Sequence, residues 1–241
     1  MIIHTCEQGS EAWFALRVGK PTASEFKKII TPGGKFSTQS RDYAIRLVTE
    51  RLLNRSLETL TATEWMARGT ELEPEAARAY EFREDTETIP VGFVSTDDGL
   101  IGCSPDRLIG DAGLLEIKCP APATHVGYLV DGPGNDYRPQ VQGQLFVSER
   151  DFVDFWSYSP EMPGVLIRTV RDEPYIRLLA AALDQFLDVR DEILERARAA
   201  GYFAERARIL TAIDDQRVAT ELPRDALEDE FGLPPLREPR W

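Results

Sequence analysis

Histidine is almost missing from this 241-residue chain, which carries only His4 and His125. A zinc site therefore has few nitrogen donors to draw on, and neither histidine stands at ligand spacing from Cys6, Cys103 or Cys119. Three cysteines are an odd number, and the start "MIIHTCEQGSEAW" lacks the basic and apolar regions of a secretion signal. The expectation is reduced thiols in a cytosolic protein, with Cys103 and Cys119 as buried apolar fillers. No apolar run reaches the length of a membrane span, so no membrane partner is expected. Positive charge is also in deficit: 28 Lys and Arg face 41 Asp and Glu, a formal net charge of −13. At face value that balance argues against a passive nucleic-acid binder.

The deficit is uneven. Residues 1–56 hold nine Lys or Arg against five Asp or Glu, a local +4 that leaves −17 for the remainder. A basic region on an acidic protein can still grip DNA locally. Carboxylates gathered around metal ions add formal negative charge that the ions offset. A metal-dependent nuclease is therefore compatible with a composition that disfavours simple DNA binders.

The early chain reads as helices: "SEAWFALRVG", with Gly19 as its stop, and "PTASEFKKII", where Thr22 and Glu25 make a capping box. "TPGGKFSTQS" is a loop. "RDYAIRLVTERLLNR" is amphipathic, with Tyr43, Ile45, Leu47, Val48, Leu52 and Leu53 largely to one side. A further helix covers "EWMARGTELEPEAARAYEF" despite Gly69 and Pro74, with Trp65, Leu72, Ala76, Ala79 and Tyr80 as its buried stripe. Residues 88–118 alternate short β-prone runs with turn signals at Asp98-Gly99 and Gly110 to Gly113. A helix after Pro139, two strands ("FVDFWSYSP", "GVLIRTVRD") and a long helix from Pro174 to Gly201 complete the pattern. The class predicted is α/β (α+β): a central mixed sheet flanked by helices, in one domain over residues 1–210. An acidic, Pro-containing extension follows at 211–241.

The stretch "IGCSPDRLIGDAGLLEIKCP" (101–120) sets Asp106, Glu116 and Lys118 among residues suited to a buried sheet. Glu116 and Lys118, two apart on a strand, share one face while Ile117 points the other way. A three-residue loop at Gly110 to Ala112 would set Asp106 opposite Glu116, although a slip of one residue would undo this. Two close carboxylates with oxygen ligands suit Mg²⁺ or Mn²⁺, and the lysine can orient or deprotonate an attacking water.

The spacing from "SPD" to "EIK" resembles the PD-(D/E)XK nuclease superfamily. "EAWFALRVGKPTASEF", "RGTELEPEAARAYEF", "IGCSPDRL", "LLEIKCP" and "YRPQVQGQLFV" resemble, in order and spacing, the phage lambda exonuclease family of viral recombination nucleases over about residues 7–200. The resemblance implies a restriction-endonuclease-like core and a processive, Mg²⁺-dependent 5'→3' exonuclease on double-stranded DNA. Such an enzyme releases 5'-mononucleotides and leaves a 3' single strand for a single-strand annealing protein. Mn²⁺ is expected to substitute, two ions to occupy each site, and three subunits to form a ring around DNA. A phage or prophage protein acting in the bacterial cytoplasm is implied.

Carried over residue by residue, Asp106, Glu116 and the Ile117 carbonyl would bind metal, and Lys118 would activate water. Glu73 and Gln140 would line the same site, with Gln142 a neighbouring candidate. Arg17, Ser24 and Ser104 would hold the 5'-phosphate, helped by the N-terminus of the helix that Thr22 and Glu25 begin. Lys35 would touch the duplex backbone and Met66 would wedge between terminal bases. The tail, with Leu222, Leu227, Phe231, Leu233 and Trp241 among acidic residues, is expected to pack on a neighbouring subunit or dock the annealing protein. Two rival readings stand beside this one. A structure-specific endonuclease of the same superfamily would cut circular duplex DNA, and a non-catalytic acidic interaction module would show no metal-dependent loss of DNA.

Overall fold

The computed structural model describes residues 1–57 and 64–202, with 205, 208, 209 and 211–213; for the helical residues 64–67 it describes the backbone alone. Contacts divide the chain into two units, Met1–Ile193 and Leu194–Trp241, and every element discussed below lies in the first apart from the last residues of the long C-terminal helix. Residues 214–241, which carry most of the extension with its expected docking role, and the Met66 side chain expected to act as a wedge lie outside what is described.

Five strands form the central sheet in the order β2 (Thr88–Pro90), β5 (Arg107–Ile109), β6 (Gly113–Lys118), β7 (Phe152–Ser157), β8 (Val165–Val170). Only β6 and β7 run parallel, so the sheet is mixed, as predicted. A second sheet joins β1 (Ile2–His4), β3 (Phe93–Ser95) and β4 (Gly102–Cys103). Period-2 alternation along β6 divides the core into two layers. Leu114 packs with Phe26, Tyr43, Leu145, Leu179 and Phe186 on one face, and Leu115 and Ile117 pack with Ala76, Tyr80 and Trp156 on the other. The helices that cover these faces are α2 (Ser40–Leu53), α3 (Glu64–Glu84), α5 (Arg138–Ser148) and α6 (Glu173–Ala199). α1 (Glu11–Arg17) and α4 (Pro122–Asp131) flank the site.

Three expectations need correction. Thr22 and Glu25 form no capping box, because Ala23–Lys28 is a six-residue 3-10 helix whose Thr22 side chain makes no cap hydrogen bond. Its tighter winding takes the Glu25 N–H to the Thr22 carbonyl instead, and the Glu25 carboxylate pairs with Lys28. Ile45 and Leu53 face solvent, leaving Tyr43, Leu47 and Val48 as the buried side of α2. β1 and α4 form where no element was predicted. β1 is three residues long, and α4 carries an apolar, nearly uncharged sequence with no polar face for periodicity to mark.

Packing of α5 onto the 3-10 helix depends on Gly143. A Cβ there would lie 2.4 Å from the Phe26 ring, which is itself fully buried and has no room to retreat. Gly143→Ala should therefore destabilise the protein by about 1–3 kcal/mol through overpacking, against the ordinary helix-stabilising effect of alanine. Chemical denaturation measures this, and an unchanged or raised midpoint would contradict the tight packing.

Candidate active site

The site begins at a turn. Ile109 pairs with Gly113, leaving Gly110, Asp111 and Ala112 as a three-residue loop, with Gly110 at φ +48°. The buried Arg150 guanidinium pins this loop by donating to the carbonyls of Gly110 (2.7 Å) and Gly113 (2.8 Å). Beyond Arg107↔Leu115 the same register sets Asp106 opposite Glu116, as the loop length predicts. The Ile117 N–H donates to Asp106 Oδ2 at 2.6 Å. Because the N–H and C=O of a strand residue share one edge, the Ile117 carbonyl also points to the Asp106 side.

Glu116 is 3% exposed, a carboxylate inside a strand covered on both faces. Three donors hold it. Lys118 Nζ (2.6 Å) and Gln140 Nε2 (2.7 Å) reach Oε1, and Gln144 Nε2 (2.6 Å) reaches Oε2. Gln140 and Gln144 are four apart on α5 and share its inner face. Gln142 lies outside the site, since its amide bonds the Val170 carbonyl and the Asp172 N–H. Gln144, unremarked in the sequence reading, takes its place; helical spacing from Gln140 was the available signal.

Asp106, Ile117 and Lys118 line a cleft of about 400 Å³ with Glu73, Gly69, Thr70, Cys119, Pro120, Tyr128 and Tyr137. Burial first, then the negative charge of Glu116, hold Asp106 well above the ordinary aspartate range. Burial also raises Glu73. For Lys118, burial pulls downward, but Glu116 and Asp106 more than offset it, so the amine is held above the usual lysine range as an ammonium. Burial pushes Cys119 up to about 11 and Tyr128 to about 12, keeping both protonated at neutral pH. The Tyr128 and Tyr137 hydroxyls are 2.9 Å apart.

Among the described residues no group of three or more His, Cys, Asp or Glu side chains forms a ready-made metal cage. His125 is committed to Ser157 and the Pro163 carbonyl, which removes it from any zinc site. The donor set is instead all-oxygen, with Asp106 and Ile117 on the cleft and the Glu116 carboxylate buried beside them. That matches a hard cation such as Mg²⁺, which takes one or two carboxylates and leaves its other positions to water and phosphate. Burial and the repulsion from Glu116 together raise Asp106, and a divalent cation would offset that uncompensated negative charge.

Arg17, Ser104 and Ser24 form a second group, bridged by Thr22. The Arg17 guanidinium lies over the Trp13 ring at 4.0 Å and donates to Ser104 Oγ and Thr22 Oγ1, each at 3.4 Å. Thr22 Oγ1 in turn lies 3.4 Å from Ser24 Oγ. Trp13 Nε1 donates to Ser104 Oγ at 2.9 Å, and the Gly19 N–H is held by the buried Glu50 carboxylate. Lys35 stands on an exposed loop and is not among the cleft's lining residues.

A mixed sheet presenting two carboxylates and a lysine on neighbouring strands, with a helix of glutamines across them, is the core of the PD-(D/E)XK nuclease fold. A family model described as the YqaJ-like viral recombinase domain matches residues 12–151, more than half of the chain, and the chain belongs to that family. Among solved structures it is similar to an alkaline exonuclease, LHK-Exo, from Laribacter hongkongensis: 31% identity, 83% of this chain and 100% of that one covered, TM-score 0.70. LHK-Exo in complex with dAMP matches at 33% identity and TM-score 0.71, covering 80% of this chain and 100% of that one. A phage-related exonuclease from Haemophilus somnus 129PT, at 14% identity and TM-score 0.58 over 73% of this chain and 96% of that one, shares the fold. No curated relative matches the chain.

The electrostatics of the pair can be tested without turnover. A carboxyl whose pKa is raised in the folded state lowers stability as pH climbs through the interval between its unfolded and folded values. Removing that carboxyl removes the loss. With chelator present, Asp106→Asn should melt above the wild type at pH 8, and the difference should shrink as pH falls and Asp106 takes up its proton. Thermal melts across pH 5–9 check this; a variant less stable at pH 8 would refute the strained pair.

Proposed function

We propose that this chain is a metal-dependent exonuclease that degrades double-stranded DNA from 5'-phosphorylated ends. The observation that carries the reading is Asp106 opposite the buried Glu116, with Asp106 and Lys118 lining an accessible cleft. Membership in a viral recombinase family and likeness to an alkaline exonuclease, one structure of which holds dAMP, support it.

Asp106, Glu116 and the Ile117 carbonyl would hold Mg²⁺, with Mn²⁺ as a substitute. When bound, the metal supplies positive charge against the scissile phosphate and makes water more acidic. The chain's own groups do the rest. Glu116 is fixed by its three donors and cannot turn away. One Asp106 oxygen is occupied by the Ile117 N–H, which orients the other toward the cleft. Lys118 is an ammonium locked onto Glu116, so its role is to orient water and to stabilise charge building on the phosphate, rather than to remove a proton. Gln140 and the Tyr128–Tyr137 hydroxyls offer further polar contacts at the rim.

The Ser104–Arg17–Thr22–Ser24 chain would receive the terminal 5'-phosphate. Guanidinium and hydroxyls suit that anion, and stacking on Trp13 fixes the guanidinium plane. A phosphate anchored there, with the scissile bond at the carboxylates, gives 5'→3' polarity and mononucleotide release. Processivity, a ring of three subunits and a single-strand annealing partner follow from the family resemblance and remain part of the proposal. Among the described residues no helix is long and apolar enough to cross a membrane.

Linear duplex DNA carrying a 5'-phosphate on one strand only, incubated with and without Mg²⁺, tests the reading. Loss of the phosphorylated strand, dependent on metal, with circular duplex untouched, is expected. Cutting of circles would favour the endonuclease, and no metal-dependent loss would leave a binding module. Asp106→Asn, Glu116→Gln and Lys118→Ala should each lower cleavage at least about a thousandfold while preserving DNA binding, since the first two remove anionic groups that would hold the metal and the third removes a cation beside the reacting phosphate. Arg17→Ala should cut the preference for a 5'-phosphate over a 5'-hydroxyl by about tenfold or more, the size of a lost charge-assisted contact. An unchanged preference would place the phosphate elsewhere.

A further inference from the structure

Gln144 is 1% exposed, and its amide is used at one end only. Nε2 donates to Glu116 Oε2, while Oε1, equally shut from water, meets no donor. A glutamine serving the fold alone would satisfy both ends, because an unmet buried acceptor is costly. Turning the amide over would set its oxygen against the Glu116 carboxylate, so the observed orientation is fixed by that carboxylate. Lys118 and Gln140 both reach Oε1; the hydrogen bond to Oε2 comes from Gln144. A carboxylate held through one oxygen can still rotate about its last side-chain torsion, which has a broad, shallow profile. A donor on each oxygen removes that freedom.

The helix that carries Gln144 cannot drift. Gly143 sits against Phe26 and Ala23 of the 3-10 helix, and Arg171 donates to the Leu145 carbonyl at 2.8 Å. The amide is thus placed by packed backbone, as a supporting group for a site must be.

We infer that Gln144 is a positioning residue that sets the plane of the Glu116 carboxylate for binding a divalent cation. The inference rests on the metal-dependent nuclease reading and names a residue that this reading does not require. Outer hydrogen bonds of this kind orient ligands, and their loss commonly weakens metal binding by about 10–100-fold.

The test uses the full chain, with Mn²⁺ as the probe, and needs no turnover. Mn²⁺ is titrated into wild type and Gln144→Met, a substitution of similar length that lacks the N–H, and followed by calorimetry and by electron paramagnetic resonance. The expected result is about tenfold weaker Mn²⁺ binding in the variant. In parallel assays kcat should fall at limiting metal and recover with excess Mn²⁺, with KM for duplex DNA unchanged. A residue important only for folding would lower the melting temperature in chelator and leave the metal affinity of the folded protein as it was. Wild-type binding of Mn²⁺ matched by equally tight binding in Gln144→Met overturns the inference while leaving the nuclease reading in place. Failure of the wild type to bind Mn²⁺ removes both. If Gln144→Met does not fold, Gln144→Asn, which withdraws the same amide by one methylene, takes its place under the same criteria.

Discussion

The hydrogen bond from the Ile117 N–H to the Asp106 carboxylate, 2.6 Å long, marks the register on which the whole site depends. It exists because the Gly110–Ala112 loop has three residues and because Arg150 clamps both ends of that loop from a buried position. A slip of one residue between β5 and β6 would turn Asp106 to the opposite face of the sheet and leave Glu116 without its neighbour. Were β6 the strand that shifted, Leu114 would leave one core layer and Leu115 the other. Hydrophobic packing and the site's chemistry therefore enforce one register together.

Glu116 lies inside a strand where a hydrophobic residue would be stable, and the surrounding structure is arranged to tolerate it. Lys118, Gln140 and Gln144 supply charge-assisted hydrogen bonds, and α5 is held in place so that both glutamines point inward. Asp106 receives less: one backbone N–H, half-burial and two carboxylates nearby. A pair in which one member is well bonded and the other carries uncompensated charge is relieved by a proton or by a cation, so a metal ion would compete with protons at Asp106. The raised Lys118 follows from the same charges, which is why the lysine acts as a donor in the proposed mechanism.

Much of this was legible in the sequence, for identifiable reasons. The turn signal at Gly110 to Gly113 indicated a hairpin whose register only the structure fixes, and the Glu-x-Lys spacing indicated a shared strand face. The 3.6-residue pattern located α2, α3 and the long C-terminal helix. What escaped depended on tertiary packing. Choosing between Gln142 and Gln144 required knowing which side of α5 meets the sheet, and Gly143 against Phe26 settles that only in three dimensions. Thr22 followed by Glu25 has the spelling of a capping box, yet tight 3-10 winding gives Thr22 to Arg17 and Ser24 instead. That relocation turns an expected helix cap into the bridge between Arg17 and Ser24.

Crystals of the protein soaked in Mn²⁺, with diffraction recorded at the manganese absorption edge, test the central assignment most directly. A metal-dependent site built on the β5–β6 register predicts an anomalous peak between the Asp106 and Glu116 carboxylates, on the side of the Ile117 carbonyl, with Gln144 still bonded to Glu116. A peak elsewhere on the chain, or none at these carboxylates under conditions where the protein digests DNA with Mn²⁺, would contradict the assignment.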